Sequence, residues 1–485
     1  MSTLPAGTTL IDPETIAYFY DEEADGFGEP ASVAEAPRNP GLMVSAGVIG
    51  LGFLALAVSL LGSMPLAGAW TPFLLSFGLL SAGTIGYAWF AYKDTVPGIK
   101  HDGIMFGNTT HRGAIAWALG IALTGFYVVL YWWPEYLARA IALVEPLSLA
   151  LSGQPANQWF LYGFLYTMAV VLFGFRMFMR YRHNRYHIIR TISVMFFQLV
   201  LAFILPHVLR ALNEPEFYFS YFWPLKYDYL FPGTVDYLVN SPGALGSFMV
   251  FWGAVCSFIA TPVLTYYYGK RWYCSWVCGC GGLAETLGDP WRHLTPKSTV
   301  SWKIERAIIY AVLLLIILTT AVLWVSSTSE GALSSISAPL QQWYGFYIGA
   351  VFAGVIGVGF YPVLGNRVWC RFGCPMAAVL GIIQRFFSRF RITTNGGQCM
   401  SCGNCTTYCE MGIDVRAYAE RGENIVRSSC VGCGVCSAVC PRGVLKLENG
   451  PSHGDRYPGS DKPLGALSTA VSKGARVYGD RDGYV

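Results

Sequence analysis

Long apolar runs alternate with short polar connections over the first three quarters of the chain. A helix needs roughly 20 mostly apolar residues to cross the hydrocarbon core of a bilayer. The segments that meet this length are about 41–62, 70–92, 113–133, 158–179, 187–212, 245–268, 304–326 and 344–364. The pattern predicts an all-α polytopic membrane domain with about eight transmembrane helices, covering residues 41–390.

The charge of the connections predicts how these helices are oriented. The first apolar run follows a polar stretch without a basic n-region, so a cleaved signal peptide is not expected. Lysine and arginine collect on the cytoplasmic side of membrane proteins. Here they are concentrated in the second, fourth and sixth connections and after the eighth helix, whereas the odd-numbered connections are poor in charge. We therefore expect a multi-pass inner (cytoplasmic) membrane protein with both termini and the C-terminal domain in the cytoplasm.

The two ends of the chain differ from the apolar part. Residues 1–40 hold eight acidic side chains against one basic side chain, and Asp12-Pro13-Glu14 is typical of a helix start. Two interpretations of this acidic cytoplasmic segment stay open: a solvated tail with one short helix, or a docking element for a cytosolic partner. Residues 450–485 are polar and rich in glycine and proline, which indicates a flexible tail.

Composition narrows the class of protein further. Only 13% of the 485 residues are charged, about half the share in ordinary soluble domains, which argues against a soluble enzyme. A net charge of +4 leaves no basic face strong enough to hold a phosphate backbone, so we expect no nucleic-acid partner. Because no pattern in the sequence indicates a nucleophile, an acid–base pair or a nucleotide loop, we predict no catalytic residue.

Eight of the 14 cysteines form two runs near the C-terminus, each spaced Cys-x2-Cys-x2-Cys-x3-Cys. In this arrangement three thiolates of one run hold a cubane cluster, and the fourth reaches the cluster of the other run. The predicted ligands of the first [4Fe–4S] cluster are Cys399, Cys402, Cys405 and Cys440. Those of the second are Cys430, Cys433, Cys436 and Cys409. The spacing therefore predicts an α+β two-cluster ferredoxin domain over residues 391–449.

Other chemistries suit these two runs less well. Zinc also takes four thiolates, but two full runs with crossed spacing favour iron–sulfur clusters. Disulfides are not expected in a domain that lies in the reducing cytoplasm. Glu410 follows Cys409 where a proline is usual, a change that affects the packing of that corner and removes no ligand.

Four further cysteines follow the sixth and eighth helices in two similar motifs. The first reads Lys270-Arg271-Trp272-Tyr273-Cys274-x3-Cys278, and the second reads Asn366-Arg367-Val368-Trp369-Cys370-x3-Cys374-Pro375. Both follow a helix that runs toward the cytoplasm, so the repeat is parallel, with a pseudo-twofold axis along the membrane normal. If each Cys-x3-Cys lies on a helix, its two sulfurs face one way.

Two such pairs facing each other would supply the four thiolates of one cluster. We therefore predict a third iron–sulfur cluster at the cytoplasmic membrane surface, held by Cys274, Cys278, Cys370 and Cys374. A redox-active dithiol pair, a copper or zinc site, and free thiols stay open as alternatives. Cys280 is close enough in sequence to serve as an alternative ligand or a resolving thiol.

Several spans, paired Cys-x3-Cys motifs and a following two-cluster ferredoxin module together resemble the polyferredoxin-type membrane iron–sulfur proteins, the NosR/NapH/CcoG-like group. The resemblance covers about residues 187–447. It departs at Gly279, which replaces the proline after the first cysteine pair. Residues 1–40 cannot hold the covalent-flavin domain that precedes the spans in NosR, so we expect any flavin to be carried by a partner.

The histidines bear on how electrons would cross the bilayer. Transmembrane b-haems need axial histidines inside spans, and only His207 lies in an outer half-span, with His187 at an inner edge. A haem chain is therefore not expected, which leaves a quinone, a cofactor on a partner, or no crossing. His207 and the loop 217–231, in which nine of 15 residues are aromatic, are candidates for a quinone pocket. Interfacial hydrogen bonding of His207 and, for the loop, an outer aromatic belt are the default explanations, and a docking platform for an external protein is a further alternative for the loop.

These patterns predict a membrane-bound iron–sulfur electron-transfer subunit. It would relay electrons between a cytoplasmic redox partner, a flavin or iron–sulfur protein, and the quinone pool or another redox subunit. The alternative is an accessory or maturation protein that supplies electrons or copper to a respiratory oxidase or reductase.

Overall fold

The computed structural model of the chain describes residues 39–62, 70–94, 112–329, 333–395 and 398–449. The acidic segment before Asn39, its expected helix start at Asp12, and the tail after Asn449 lie outside the described residues. The described part consists of a helical bundle followed by a small C-terminal domain.

Within these residues, eight helices are long and apolar enough to cross a membrane. Spans 1 to 8 are Pro40–Leu60, Trp70–Tyr92, Ala114–Trp132, Gln158–Arg180, Arg185–Ala211, Leu245–Tyr268, Thr299–Thr328 and Ser334–Gly359. They support the prediction of a multi-pass membrane protein. Spans 7 and 8 begin earlier than expected because their first turns are helical but too polar to be recognised as membrane-crossing.

Shorter helical segments connect the spans or follow span 8. Their bounds are Pro134–Leu137, Ala138–Ser152, Tyr227–Leu230, Pro232–Val239, Arg271–Cys274, Gly279–Glu285, Asp289–Leu294, Tyr361–Leu364, Trp369–Gly373 and Pro375–Phe386. Ala138–Ser152 was not expected, because its 15 residues are too few for a span. It buries Leu143 and Val144 against Phe77 of span 2 and Phe160 of span 4, and so widens the bundle.

Spans 5, 6 and 8 each contain a stretch of wider, π-type helix. These stretches are Phe197–Ile204, Cys256–Ala260 and Tyr344–Ile356. An extra residue in a helical turn often occurs at a functional site. In span 5 the stretch includes the buried Gln198, whose side chain donates to Thr167 of span 4 at 3.1 Å. A polar pair therefore lies inside the bundle.

The C-terminal domain has a two-stranded antiparallel sheet, β1 (Arg391–Thr394) and β2 (Leu445–Glu448), with Arg391 opposite Glu448. Its short helices are Asn404–Thr407, Val415–Glu420 and Val435–Ala438. Gly403 and Gly434 precede the first and third of these helices with φ of 78° and 81°, a left-handed conformation that suits glycine. The two cysteine runs thus form two similar halves.

The C-terminal domain packs directly on the bundle. One buried core continues from Tyr344 of span 8 through Cys374 to Ile392 and Val431 of the domain. Hydrogen bonds cross the same boundary: Ser275 Oγ donates to the carbonyl of Val431 at 2.8 Å. The domain is therefore part of the same packed body as the bundle.

Candidate iron–sulfur sites and the adjoining cavity

The eight cysteines of the C-terminal domain line two separate cavities. The first cavity is lined by Cys399, Cys402, Cys405 and Cys440. The second is lined by Cys409, Cys430, Cys433 and Cys436. The fold thus brings the fourth cysteine of each run to the other three of the predicted set. These donor sets suit a [4Fe–4S] cluster each.

The loops around both cavities are alike and suit anionic sulfur. The backbone N–H of Ile413 donates to Cys409 Sγ at 3.4 Å, and that of Val444 donates to Cys440 Sγ at 3.3 Å. Burial raises the pKa of Cys430 to about 12. Such a thiol becomes a thiolate ligand when a metal offsets its charge, because metal binding and loss of the proton are coupled.

The two sites differ in their access to solvent. Cys402 of the first site is exposed, whereas Cys430 and Cys436 of the second site are buried. The second site lies against the bundle, where Gln384 donates to the carbonyl of Cys430 at 2.7 Å. The first site is therefore the one closer to solvent.

Cys274, Cys278, Cys370 and Cys374 lie together and form what we call the four-cysteine site. Each has 5–6% of its surface exposed. Burial raises the pKa of Cys374 well above its usual range, and the three other thiols raise it further. The structure thus brings together the four cysteines that the repeat predicts.

The local geometry of this site differs from the prediction. Neither Cys-x3-Cys lies on one helix: Cys278 and Cys374 have extended backbones and precede the helices Gly279–Glu285 and Pro375–Phe386. Each pair is closed by a wide turn, in which Cys278 N–H donates to the carbonyl of Tyr273 and Cys374 N–H to that of Trp369. The expectation of one helical face was therefore wrong, and a helix–turn–helix brings the sulfurs together.

The structural repeat is also longer than the predicted motif. A glycine ends the helix before each motif and stands five residues ahead of the first cysteine of that motif. These glycines, Gly269 and Gly365, have φ of 67° and 90°. A Cβ at either position would also overlap neighbouring side chains. The two glycines are visible in the sequence at the same spacing and could have extended the motif.

Cys280 is a fifth thiol beside the four-cysteine site. The pKa of Cys278 is lowered to about 7, chiefly by a hydrogen bond from the Cys280 thiol. Burial opposes this shift, and the backbone N–H groups of Gly281 and Cys280 support it. The same hydrogen bond and burial raise the pKa of Cys280 well above its usual range. Of this pair, Cys278 is therefore the thiol that loses its proton more readily.

The surroundings of Gly279 explain why no proline follows the first cysteine pair, and they show how deeply the four-cysteine site lies in the bundle. A Cβ here would overlap the hydroxyl of Tyr221 and the side-chain oxygen of Gln198, so a proline ring would not fit. Gln198 lies about half-way along the 27 residues of span 5. The segment between Arg271 and Asp289 therefore enters the bundle and returns. This turn of the four-cysteine site therefore packs beside the middle of span 5.

The aromatic loop 217–231 folds into the bundle to meet this site. None of its nine aromatic side chains is exposed, and the structure describes all of them. The hydroxyl of Tyr273 donates to the carbonyl of Ser220 at 2.9 Å, and the ring of Phe222 lies 5.0 Å from that of Tyr273. The alternative of an outer aromatic belt does not describe this loop.

A cavity of about 850 Å³ lies between this loop and spans 4, 5 and 8. One end is lined by Cys280, Trp369 and Pro375 beside the four-cysteine site, and the other includes His207 and Arg210. Tyrosines form much of its wall: Tyr131, Tyr162, Tyr166, Tyr218, Tyr221, Tyr227, Tyr229, Tyr237 and Tyr344. A smaller cavity of about 100 Å³ also reaches Cys280.

His207 lines this cavity and carries an unpaired polar atom. Its ring lies between those of Phe160 and Phe203, with centroids at 4.8 and 5.2 Å. Only 8% of its surface is exposed, and Nδ1 has no hydrogen-bond partner among the described residues. The expected interfacial hydrogen bonding through this nitrogen is therefore not seen, and the ring itself lines the cavity.

A buried ion network joins the bundle to the C-terminal domain. Glu410 is completely buried; it accepts a hydrogen bond from Arg292 at 2.6 Å and pairs with Arg367 at 3.0 Å. Glu285 accepts from the same two arginines at 2.8 and 2.7 Å. Although burial opposes it, these arginines and Arg190 hold the pKa of Glu285 well below its usual range. Glu410 thus binds the bundle from the position where proline is usual.

The charge of this network suits anionic clusters. Its members are Arg176, Arg180, Arg190, Arg292, Arg367, Glu285, Asp289 and Glu410, which leave two positive charges in excess. Two arginines also reach sulfur: Arg292 lies 3.8 Å from Cys433 Sγ and Arg367 3.6 Å from Cys370 Sγ. Buried cations without enough carboxylates are costly unless another anion is present, and thiolate-bound iron–sulfur clusters supply one.

Known protein families match these sites. The family model of a 4Fe-4S dicluster domain matches residues 398–445. A second model, a 4Fe-4S binding domain, matches twice, at residues 250–297 and 347–393. Each of the latter matches contains one Cys-x3-Cys pair of the four-cysteine site. These findings support an iron–sulfur electron-transfer role.

A curated relative points the same way. The putative electron transport protein YccM of Escherichia coli (strain K12) is 28% identical over 154 residues, 30% of this chain and 43% of that protein. The chain thus aligns with less than half the length of this relative. No solved structure matches the chain.

Proposed function

We propose that this protein is a membrane-bound iron–sulfur subunit that relays electrons between a cytoplasmic redox partner and the quinone pool or another membrane redox subunit. The observation that carries the proposal is the succession of three cysteine sets. The first site has an exposed cysteine, the second is buried against the bundle, and the four-cysteine site lies inside the bundle. Electrons can therefore be exchanged with a soluble partner at one end and with the membrane interior at the other.

In this proposal the residues of the chain hold the clusters and exclude water. Bound iron–sulfur clusters supply one-electron transfer. The cysteines that would bind them are the three sets of four, and Arg292, Arg367 and Lys270 lie near the inner two. Their positive charge favours the additional electron on a site, because it offsets the extra negative charge in a medium of low polarity.

The large cavity supports quinone as the membrane-side partner. Its volume of about 850 Å³ lies within the range of small-molecule sites. Its walls are largely aromatic, as a planar ring would require, and His207 offers an unpaired nitrogen. One end lies at Cys280, beside the electron-carrying site of this proposal. We propose that a quinone ring binds here.

Iron content tests the proposal. The purified protein should hold about 12 Fe, four for each of three cysteine sets. The double variant Cys274→Ser/Cys370→Ser should hold about 8 Fe, because it removes two ligands of the four-cysteine site alone. Its low-temperature EPR spectrum should lose one cluster signal. Cys256→Ser is the matched control, since Cys256 is a buried cysteine of span 6 outside all three sets.

The same measurement separates the alternatives. About 8 Fe in the unmodified protein, with no signal lost in the double variant, would overturn the third cluster. Copper bound at the four-cysteine site in place of iron would instead support the accessory or maturation role.

A further inference from the structure

Two arginines connect the second ferredoxin site to the four-cysteine site. Arg292 Nη1 lies 3.8 Å from Cys433 Sγ, and Arg367 Nη1 lies 3.6 Å from Cys370 Sγ. Between them is the carboxylate of Glu410, 2.6 Å from Arg292 and 3.0 Å from Arg367. Cys433 and Cys370 belong to different cysteine sets and different domains. The chain of contacts Cys433, Arg292, Glu410, Arg367, Cys370 is therefore a direct connection between the two sites.

The two halves of the C-terminal domain provide an internal comparison. The residue after the fourth cysteine is Pro441 in one run and Glu410 in the other. Pro441 is exposed, whereas Glu410 is completely buried against the bundle. The ferredoxin fold itself thus accepts proline at this position, and the carboxylate occurs only after Cys409, the cysteine that joins the second site, which is the one nearer the bundle. Its role therefore concerns the contact between the domains.

We propose that Glu410 is a positioning residue that holds Arg292 and Arg367 between the two sites and so makes their contact the route of electron transfer. This inference rests on the proposed function. In the transfer, one electron is lost at one site and gained at the other. No bond forms or breaks, and both guanidinium groups keep their protons. The carboxylate keeps the two arginines, which would otherwise repel each other, at the distance that the route requires.

Variants at Glu410 test this role in the full-length protein. Glu410→Gln keeps the size of the side chain and removes its charge, which leaves Glu285 to pair with both arginines. Glu410→Pro reproduces the residue of the other half, and Glu410→Asp restores the charge. Glu423→Gln is the control, because Glu423 belongs to the same domain and its ion pair with Arg421 is exposed.

Two readouts report position without measuring activity. One is the magnetic coupling between the reduced sites, seen as EPR line broadening, which weakens as their separation grows. The other is hydrogen exchange of backbone amides between Val431 and Val435, which pack on the bundle. We expect Glu410→Gln and Glu410→Pro to keep their iron, to lose most of the broadening, and to exchange these amides at least tenfold faster. Glu410→Asp should recover most of both signals, and Glu423→Gln should leave them unchanged.

The outcomes separate this inference from the proposed function. Native broadening and native exchange in Glu410→Pro would overturn the positioning role. If Glu410→Gln and Glu410→Pro lose iron, the test rests on Glu410→Asp. A Glu410→Asp protein that recovers its iron but not the EPR broadening would also overturn the positioning role. About 8 Fe in the unmodified protein would instead overturn the third cluster. In that case, faster hydrogen exchange in Glu410→Gln would still show that Glu410 holds the C-terminal domain against the bundle.

Discussion

At the scale of single residues, the atoms that approach Gly279 set the space beside the four-cysteine site. Gly279 has Tyr221 on one side and Gln198 on the other, from two separate parts of the chain. The cysteine sets could be predicted because their spacing is local and specific. The neighbours of Gly279 could not be predicted, because they come from segments 58 and 81 residues away in sequence. No sequence pattern relates these segments to the cysteine motif.

We predict that Gly279→Ala destabilises the protein and perturbs the four-cysteine site. The new methyl group would overlap both oxygens and force the turn outward, and overpacking of this kind costs about 1–3 kcal/mol. The thermal midpoint in detergent should fall, and the EPR signal that depends on Cys274 and Cys370 should change. Gly253→Ala is the control, because no described atom lies within 4 Å of a Cβ there. Equal behaviour of the two variants would contradict the prediction.

At the scale of elements, the cavity depends on features that the hydrophobic pattern does not show. Apolar length predicts where spans lie, but not the π-type stretch Phe197–Ile204 or the inward course of the loop 217–231. An aromatic-rich loop suits an outer belt and a buried wall equally well by composition. The burial of these side chains and the contacts of the loop with Tyr273 distinguish the two, and those contacts join distant segments.

We predict that His207→Leu weakens binding of a short-chain quinone analogue about three- to tenfold, the effect of losing one hydrogen bond. The reason is that the His207 ring lines the cavity and its buried Nδ1 has no hydrogen-bond partner among the described residues, so a turn of the ring would bring this nitrogen to a quinone oxygen. Binding can be followed by quenching of tyrosine and tryptophan fluorescence. His183→Leu is the control, since His183 is exposed and does not line this cavity. Unchanged affinity in His207→Leu, or an equal loss in His183→Leu, would argue against the site.

At the scale of the whole molecule, the basic residues have two roles. The charge pattern assigned them to the cytoplasmic side, yet Arg180, Arg292, Arg367 and Arg371 are almost fully buried in the structure. Each pairs with a carboxylate at the end of the bundle that carries the C-terminal domain. Arg292 and Arg367 hold the domain on the bundle through Glu410, whereas Arg180 and Arg371 pair with carboxylates of the bundle itself. No loop-charge count could predict these roles. Arg182, Arg185 and Arg385 remain exposed at the same end and can contact lipid head groups.

We predict that the C-terminal domain faces the cytoplasm. Helix insertion into the membrane precedes the packing that buries these arginines. During insertion they therefore still count among the basic residues of the connections, and all of these residues together set the orientation. A fluorescent protein fused after Val485 should therefore fold and fluoresce. Alkaline phosphatase, which is active outside the cytoplasm, should be active when inserted between Ser329 and Leu333, the connection of spans 7 and 8. Phosphatase activity at Val485 with none in that connection would reverse the orientation and remove the cytoplasmic partner from the proposed function.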